Sequence, residues 1–283
     1  MPYITEFDPW NNRACTCPPK YSINPYTGCA HRCVYCYISG YIPNPFCLRL
    51  KRNVERAVAR ECRKLSKEKY ISMSNSSDPY PPVEKEKGIT RNLLKIFREN
   101  GFSVLIITKS DIVARDADIL ETMNAVVSIT ITTVDESLAK LLEPNAPSPE
   151  KRIRALEKLS SRVPCVVRID PLIPGINENL EEVVEAVAPY VKQCVFSTLK
   201  LRRDAFTRIS LAFPELKEKL ETLYFRTPIV VGNAYYLPRE MRVELLRRAR
   251  EVCRKHGLLF SSCREFQSGM NTGVCDGSGW LGR

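Results

Sequence analysis

Short β-branched runs and longer stretches with helical spacing alternate along most of this chain. Six runs predict strands, at residues 69–78, 102–110, 125–133, 163–175, 194–200 and 258–263. The second run is almost continuously apolar, which is typical of a strand buried on both faces. The intervening stretches carry the helical period, at residues 53–67, 86–100, 148–161, 180–190, 204–224 and 237–257. Ser148 and Pro149 predict the cap and first turn of one of these helices.

This alternation predicts an α/β fold with a parallel sheet, because a helix must cross over between neighbouring parallel strands. The six units are too few for a closed eight-fold barrel. We therefore expect a partial (βα)6 TIM-like barrel whose mouth lies at the C-terminal strand ends, where SNSSD, TKS, SIT and RIDP follow their strands. We expect a single domain over residues 1–283, with a core of about 22–235 and loop-rich extensions at 1–21 and 257–283.

Composition and charge narrow the class of protein. Of the 283 residues, 44% are hydrophobic and 27% are charged, which is typical of a globular protein. No apolar run approaches the roughly 18 residues that a membrane span requires. The first residues also lack the basic and apolar segments of a secretory signal, so we expect a cytoplasmic protein without membrane contact. A net charge of +11 favours a polyanionic partner.

Twelve cysteines in a reducing compartment are candidates for metal ligands rather than for disulfides. Cys29, Cys33 and Cys36 lie within eight residues, in YTGCAHRCVYCY. Thiolates are soft donors that suit zinc, copper(I) or an iron–sulfur cluster. A structural zinc site needs a fourth ligand, which His31 or Cys47 could supply. A cubane cluster held by three cysteines instead leaves one iron open to a substrate or cofactor.

A Cys-x3-Cys-x2-Cys loop ahead of about six βα units resembles the radical S-adenosylmethionine (SAM) superfamily. Further segments resemble its branch related to spore photoproduct lyase, often called DNA repair photolyase-like. They cover roughly residues 22–180 and read NPYTGCAHRCVYCY, SNSSDPYPPVE, ITKSDIVARD, SITITTVDESLAKLLEPNAPSPEKRIRAL and RIDPLIPGIN.

The resemblance implies that Cys29, Cys33 and Cys36 ligate a [4Fe-4S] cluster whose open iron binds the amine and carboxylate of SAM. An electron from an external donor, of the ferredoxin or flavodoxin type, then cleaves SAM to a 5′-deoxyadenosyl radical, which abstracts hydrogen from substrate. The protein must hold the cofactor, exclude water and align one substrate hydrogen.

The same resemblance implies a set of cofactor contacts at the strand ends. Ser76, Ser77 and Asp78 correspond to the site of the methionyl amine. Lys109, whose ammonium ends an apolar strand and needs an anion, corresponds to the partner of the cofactor carboxylate. Ser128, with Thr130 on the same strand face, corresponds to a contact with the ribose or carboxylate. Two further residues, Arg168 and Asp170, either bind in the mouth or pair with each other.

Two tyrosines beside the third cysteine are candidate catalytic residues. Tyr35 matches the position that packs beside the adenine, and Tyr37 follows it toward the substrate. Spore photoproduct lyases carry a cysteine two residues before the Ser-Asp pair, which returns hydrogen to the product radical, whereas this chain has Asn75 there. Because Asn75 replaces this cysteine, we expect either a different reaction or the return of a hydrogen atom to the product radical from Tyr35 and Tyr37.

The remaining cysteines fall into two groups. Four lie near the chain ends and would form a second cluster or a zinc site if the termini meet: Cys15, Cys17, Cys263 and Cys275. The other four lie in helical or strand patterns and are predicted to be small core residues: Cys62, Cys165, Cys194 and Cys253.

Basic residues cluster in two segments, which are either solvated helix faces or a nucleic-acid footprint. The first comprises Arg49, Lys51, Arg52, Arg56, Arg60, Arg63, Lys64, Lys67 and Lys69, and the second Arg239, Arg242, Arg247, Arg248, Arg250 and Arg254. The function predicted from the sequence is a radical SAM enzyme that acts on DNA or RNA, in repair or base modification. The alternatives are a radical SAM enzyme that modifies a protein or small metabolite, and a non-catalytic, zinc-stabilised nucleic-acid binding module.

Overall fold

An open sheet of eight strands forms the centre of the computed structural model, which describes residues 2–7, 14–73 and 76–282. The strand order is β1-β2-β5-β6-β7-β8-β9-β12; β1 is antiparallel to β2, and the other seven run parallel. Two short ribbons, β3–β4 and β10–β11, lie outside it. The strands are β1 Thr5–Glu6, β2 Lys20–Ile23, β3 Tyr26–Thr27, β4 Arg49–Leu50, β5 Tyr70–Met73, β6 Val104–Thr108, β7 Ala125–Thr130, β8 Cys165–Leu172, β9 Gln193–Thr198, β10 Ile229–Val231, β11 Ala234–Tyr236 and β12 Leu259–Ser262.

Helices cover one face of this sheet, which we call the outer face. Leu93 and Leu156 pack there against Ile106 and Val127, in one continuous apolar core. The α-helices are α1 Val54–Cys62, α2 Glu84–Lys87, α3 Ile89–Glu99, α4 Ala117–Leu120, α5 Glu136–Leu142, α6 Pro149–Ser160, α7 Leu180–Val187, α8 Arg203–Ala212, α9 Lys217–Glu221 and α10 Arg239–Lys255. In the described part of the chain, no helix has the length and apolar character to cross a bilayer.

The predicted α/β class with an open, mostly parallel sheet is confirmed. The six predicted strands correspond to β5, β6, β7, β8, β9 and β12. The structure adds β2, in a segment expected to be loop-like, because its four residues are too few to give a periodic signal. Both β2 and β12 reach into the predicted loop-rich extensions. The four cysteines predicted as core residues, Cys62, Cys165, Cys194 and Cys253, are all buried.

Two of the predicted helices are interrupted, each for a local reason. The stretch 86–100 divides at Gly88, whose φ of +62° ends α2 before α3 begins. The stretch 204–224 divides near Pro214, which has no N–H to continue α8. Helix α6 begins as predicted: the Ser148 side chain accepts a hydrogen bond from the Lys151 N–H, and Pro149 occupies the first turn.

The C-terminal segment 266–282, which we call the tail, covers the other face of the sheet, the inner face. Trp280 and Leu281 pack against an apolar cluster of inner-face residues that includes Val166. Asp276 accepts hydrogen bonds from Lys20 Nζ at 2.6 Å and from Tyr70 Oη at 2.5 Å. Because these contacts lie near the strand N-termini, the tail closes that end of the inner face and leaves the C-terminal strand ends as the mouth.

Docking of the tail can be tested at Gly277, whose φ is +88° and where an added Cβ would lie 3.0 Å from Val166 Cγ2. Gly257 is the matched control, because its φ is +67° but nothing lies within 4 Å of an added Cβ. We expect Gly257→Ala to cost about 1 kcal/mol of unfolding free energy, the usual cost of a left-handed alanine. Gly277→Ala should cost about 1–3 kcal/mol more, from overpacking against Val166. Equal costs in chemical unfolding would contradict the docking.

Candidate functional site

The three clustered cysteines lie on a loop that leaves β3 and ends in a 3-10 turn at Tyr37–Gly40. Cys33 is buried, whereas Cys29 and Cys36 are half-buried, and the three thiols interact electrostatically with one another. Burial raises the pKa of Cys29 to about 12 and that of Cys33 well above its usual value. These thiols therefore become thiolates only when a bound metal offsets their charge.

The spacing of these thiols fits a cluster better than a single ion. Across the described residues, no three or more Cys, His, Asp or Glu side chains converge as ligands of one metal ion. A cubane does not require such convergence, because each cysteine binds its own iron at a separate corner. His31 and Cys47, the candidate fourth zinc ligands, are also placed unfavourably: His31 Nε2 lies 3.1 Å from Asp78 Oδ2, and Cys47 is exposed.

Backbone hydrogen bonds and one arginine hold the cysteine loop. Leu142, at the end of α5, accepts from the Val34 N–H at 2.9 Å. Arg208, on α8, donates through Nε to the Val34 carbonyl at 3.0 Å and through Nη2 to the Cys36 carbonyl at 2.7 Å. Charge-assisted bonds of this kind are stronger than neutral ones. Two helices outside the loop therefore position its third cysteine.

Glu143 is a buried carboxylate that joins the cysteine loop to the sheet. It accepts a short hydrogen bond from the Tyr35 hydroxyl and another from Thr132 Oγ1 at 3.1 Å. Arg152 Nη1 lies 2.5 Å from one carboxylate oxygen, and Lys109 Nζ lies 3.8 Å from the other. Burial alone would raise the Glu143 pKa, but the charges of Arg152 and Lys109 outweigh it and lower the pKa to about 2. Glu143 is thus an anion at neutral pH.

Asp78 plays a corresponding part at the ends of β5 and β6. Its carboxylate accepts from Thr108 Oγ1 and from the Lys109 N–H, both at 2.7 Å, and from the Tyr80 N–H at 2.9 Å, besides its contact with His31. Burial would raise its pKa, but the His31 charge and these donors lower it to about 2. Four protein donors use most of its accepting capacity, so the geometry gives Asp78 a positioning role.

The other predicted cofactor residues lie around the same mouth. Ser77 Oγ donates to the Tyr26 carbonyl, and the Ser76 N–H donates to Asn24. Lys109, predicted to meet the cofactor carboxylate, has a protein anion in Glu143, although 3.8 Å is long for an ion pair and leaves the ammonium able to bind a second one. Ser128 Oγ is fully buried and meets no hydrogen-bond partner among the residues that the structure describes. Because buried hydroxyls are usually hydrogen-bonded, the Ser128 hydroxyl is suited to bind a polar group of a cofactor.

The candidate catalytic tyrosines differ in environment. Tyr35 is buried against Glu143, whereas Tyr37 is 43% exposed and stacks on Tyr41 with ring centroids 6.1 Å apart. Arg168 and Asp170 pair with each other at 2.7 Å, as one of the two sequence alternatives expects. Asn75, the residue at which the chain departs from spore photoproduct lyases, lies outside the described residues.

The four terminal cysteines also come together. Cys17 Sγ lies 3.3 Å from Cys275 Sγ, Cys15 hydrogen-bonds to Cys17, and Cys263 interacts electrostatically with all three. The termini therefore meet, which was the condition for a second site.

Comparison with known families decides among the metal sites that this loop could form. The sequence profile of the Radical SAM superfamily matches residues 23–187, which include the cysteine loop and the strands β5, β6, β7 and β8 of the parallel core. The chain belongs to the radical SAM superfamily. It is therefore a radical SAM enzyme, and the predicted superfamily is confirmed.

Relatives of this radical SAM enzyme occur in distant organisms. An uncharacterized protein of Methanocaldococcus jannaschii is 32% identical over 222 residues, covering 76% of this chain and 80% of its own length. An uncharacterized protein of Acidianus two-tailed virus is 26% identical over 241 residues, covering 70% of this chain and 79% of its own.

Solved structures share the fold. Spore photoproduct lyase with bound AdoMet and dinucleoside spore photoproduct has a TM-score of 0.67 and 17% identity, covering 88% of this chain and 78% of its own. SuiB of Streptococcus suis, bound to S-adenosylmethionine, has a TM-score of 0.56 and 13% identity, and the match covers 85% of this chain and 49% of SuiB. The predicted likeness to spore photoproduct lyase is thus confirmed for the fold.

A 4Fe-4S cluster and SAM are the cofactors that radical SAM membership implies. Among the described residues, the donors present fit them: three thiols that lack a fourth protein ligand, the Lys109 ammonium 3.8 Å from its carboxylate, and the Ser128 hydroxyl without a hydrogen-bond partner. The sequence interpretation missed Glu143, Arg152 and Arg208. Their signals were weak, because a lone Glu or Arg inside a helical pattern is usually a surface residue.

We expect Glu143→Gln to destabilise the protein by about 3–5 kcal/mol, because it leaves the buried Arg152 guanidinium without its counter-charge. Glu150→Gln is the matched control, since Glu150 and its partner Arg154 are both 68% exposed. It should cost about 0.5 kcal/mol or less. Urea unfolding of anaerobically purified protein measures both values. A Glu143→Gln cost as small as that of the control would contradict the buried network.

We expect Arg208→Met to loosen the cysteine loop by removing two charge-assisted hydrogen bonds to its carbonyls. Iron should then be lost to a chelator about tenfold faster from the anaerobically reconstituted protein. Arg254→Met removes an exposed guanidinium that pairs with Glu251 on the same helix, and it should leave the rate unchanged. If both variants release iron at the wild-type rate, Arg208 does not hold the cluster loop.

Proposed function

We propose that this radical SAM enzyme acts on a nucleic acid, in repair or nucleobase modification. The observation that carries the proposal is a groove of about 590 Å³ beside the cysteine loop. Ser39 and Gly40, which follow the third cysteine, line it together with Arg202, Arg203 and Asp204. The two arginines outnumber this carboxylate, which pairs with Arg208 at 2.9 Å. A net positive groove next to a radical-generating site suits a substrate with a phosphate backbone.

Exposed apolar and aromatic side chains add to this surface. Val230, on the β10–β11 ribbon, lines the groove and is 54% exposed. The stacked pair Tyr37 and Tyr41 are each more than 40% exposed. Combinations of arginines with aromatic platforms are typical of single-strand binding and of unstacked bases.

The two basic clusters of the sequence contribute less to the proposed nucleic-acid binding surface than the groove does. Arg242 is buried and donates to the carbonyls of Leu237 and Glu265, so it is a structural residue and not part of a footprint. Arg248 and Arg254 pair with Glu181 and Glu251. The first cluster remains a candidate for long-range steering.

In the proposed mechanism, Cys29, Cys33 and Cys36 would hold the cluster. When bound, the cluster and SAM would supply a 5′-deoxyadenosyl radical able to take a hydrogen atom from substrate. Lys109 would bind the cofactor carboxylate, Ser128 would hydrogen-bond a polar group of the cofactor, and Ser76 and Ser77 would bind its amine. Tyr37, on the exposed side, is the tyrosine available to contact substrate, and Tyr35 fixes the loop through Glu143.

The proposal also includes the domain organisation, the cellular location and the electron donor. We propose one radical SAM domain over the chain, a cytoplasmic location, and reduction by an external ferredoxin- or flavodoxin-type donor. Peptide modification is the second candidate, because SuiB, whose fold is similar, binds a precursor peptide. A non-catalytic zinc module agrees poorly with the radical SAM match.

Substrate-triggered cleavage of SAM tests the function. Dithionite-reduced enzyme should release 5′-deoxyadenosine faster with DNA or RNA oligonucleotides than without. Replacing both Arg202 and Arg203 with Gln should weaken oligonucleotide affinity about tenfold and reduce the salt slope by about two. The control is Arg154→Gln with Arg162→Gln, which removes the same charge from exposed residues outside the groove. Stimulation by peptides but not by oligonucleotides would favour the second candidate.

A further inference from the structure

A second set of thiols lies on the inner face, away from the radical SAM loop. Cys15 and Cys17 precede β2, Cys263 follows β12, and Cys275 belongs to the tail. Although β2 and β12 stand near opposite edges of the sheet, the tail crosses the inner face between them and brings the two terminal segments close to each other. Chain segments more than 240 residues apart thus meet at one point, with Cys17 Sγ 3.3 Å from Cys275 Sγ.

We infer that Cys15, Cys17, Cys263 and Cys275 ligate a second metal centre, of the tetrathiolate type that holds an iron–sulfur cluster or a zinc ion. Four cysteines satisfy every ligand position of either centre. In contrast to the cysteine loop, this set leaves no open coordination site. Its role is therefore to join the termini or to store an electron, rather than to bind SAM.

Two buried cations, Lys20 and Arg168, lie among these thiols. Lys20, which is 3% exposed, interacts with both Cys17 and Cys275 while its Nζ lies 2.6 Å from Asp276 Oδ2. The Arg168 guanidinium hydrogen-bonds to the Cys263 thiol. A tetrathiolate centre carries net negative charge, and in a buried place such charge requires nearby cations. Zinc binding releases the thiol protons and involves no change of oxidation state, whereas assembly of an iron–sulfur cluster takes both ferrous and ferric iron together with sulfide.

A disulfide between Cys17 and Cys275 is the competing explanation. It would use two of the thiols and leave Cys15 and Cys263 at the same place without a role. All four residues are free thiols in the structure, and the cytoplasm proposed for this chain keeps thiols reduced. The four sulfurs of the described structure do not converge as ligands of one ion, so metal binding must shift some of them.

Metal analysis of a variant that lacks the first cluster tests the inference. Replacing Cys29, Cys33 and Cys36 with Ala removes that cluster. Anaerobically purified triple variant should still contain about one zinc, or about four irons with sulfide, per chain. Adding Cys17→Ser and Cys275→Ser to the triple variant should lower that content at least about fivefold. The control adds Cys47→Ser instead, because Cys47 is exposed and outside both groups, and it should leave the content unchanged.

Several results would overturn the inference. They are a metal-free triple variant with native circular dichroism, a metal content that does not respond to Cys17 and Cys275, and a Cys17–Cys275 disulfide found by mass spectrometry in the anaerobic protein. If the quintuple variant fails to fold, Cys15→Ser in the triple variant replaces it, with the same loss expected. Neither metal count involves SAM cleavage or a nucleic acid, so failure here is separate from failure of the proposed function.

Discussion

The active site of this enzyme depends on a buried negative charge that ties an irregular loop to a regular sheet. The cysteine loop has little secondary structure of its own, yet its three sulfurs must keep fixed positions. Glu143 provides the tie, because its carboxylate meets Tyr35 from the loop, Arg152 from α6 and Lys109 from the end of β6. Since a buried carboxylate is costly without counter-charges, each of these contacts requires the others. The loop therefore keeps its position only when α6 and β6 are in place.

The two ends of the inner face carry different kinds of side chain and therefore have different roles. Near the strand N-termini, apolar residues and the tail close the space, with Asp276 and Gln193 pairing the remaining polar groups. Toward the C-terminal ends, the same strands carry the polar residues Ser128 and Arg168. One sheet thus combines a sealed, stabilising end with a polar end that can receive a cofactor.

The sequence predicted the fold and the cysteines better than it predicted the network around them. Alternating apolar runs identified six of the seven parallel strands, whereas β2 was missed because KYSI is too short to show a period. Local spacing was enough to predict Cys29, Cys33 and Cys36 as cluster ligands, since all three lie on one loop. Glu143 and Arg208 act through contacts with residues more than 100 positions away, and no local pattern in a single sequence contains such contacts.

The same limit explains why the terminal cysteines could be predicted only conditionally. Cys17 and Cys275 are 258 positions apart, and their proximity depends on how the tail crosses the sheet. The number of thiols also separates the two groups in function. Three cysteines leave a coordination position that a cofactor can reach, whereas four would fill every ligand position of the second centre. The second group is therefore suited to a structural or electron-storing role, which agrees with its place where the two terminal segments meet.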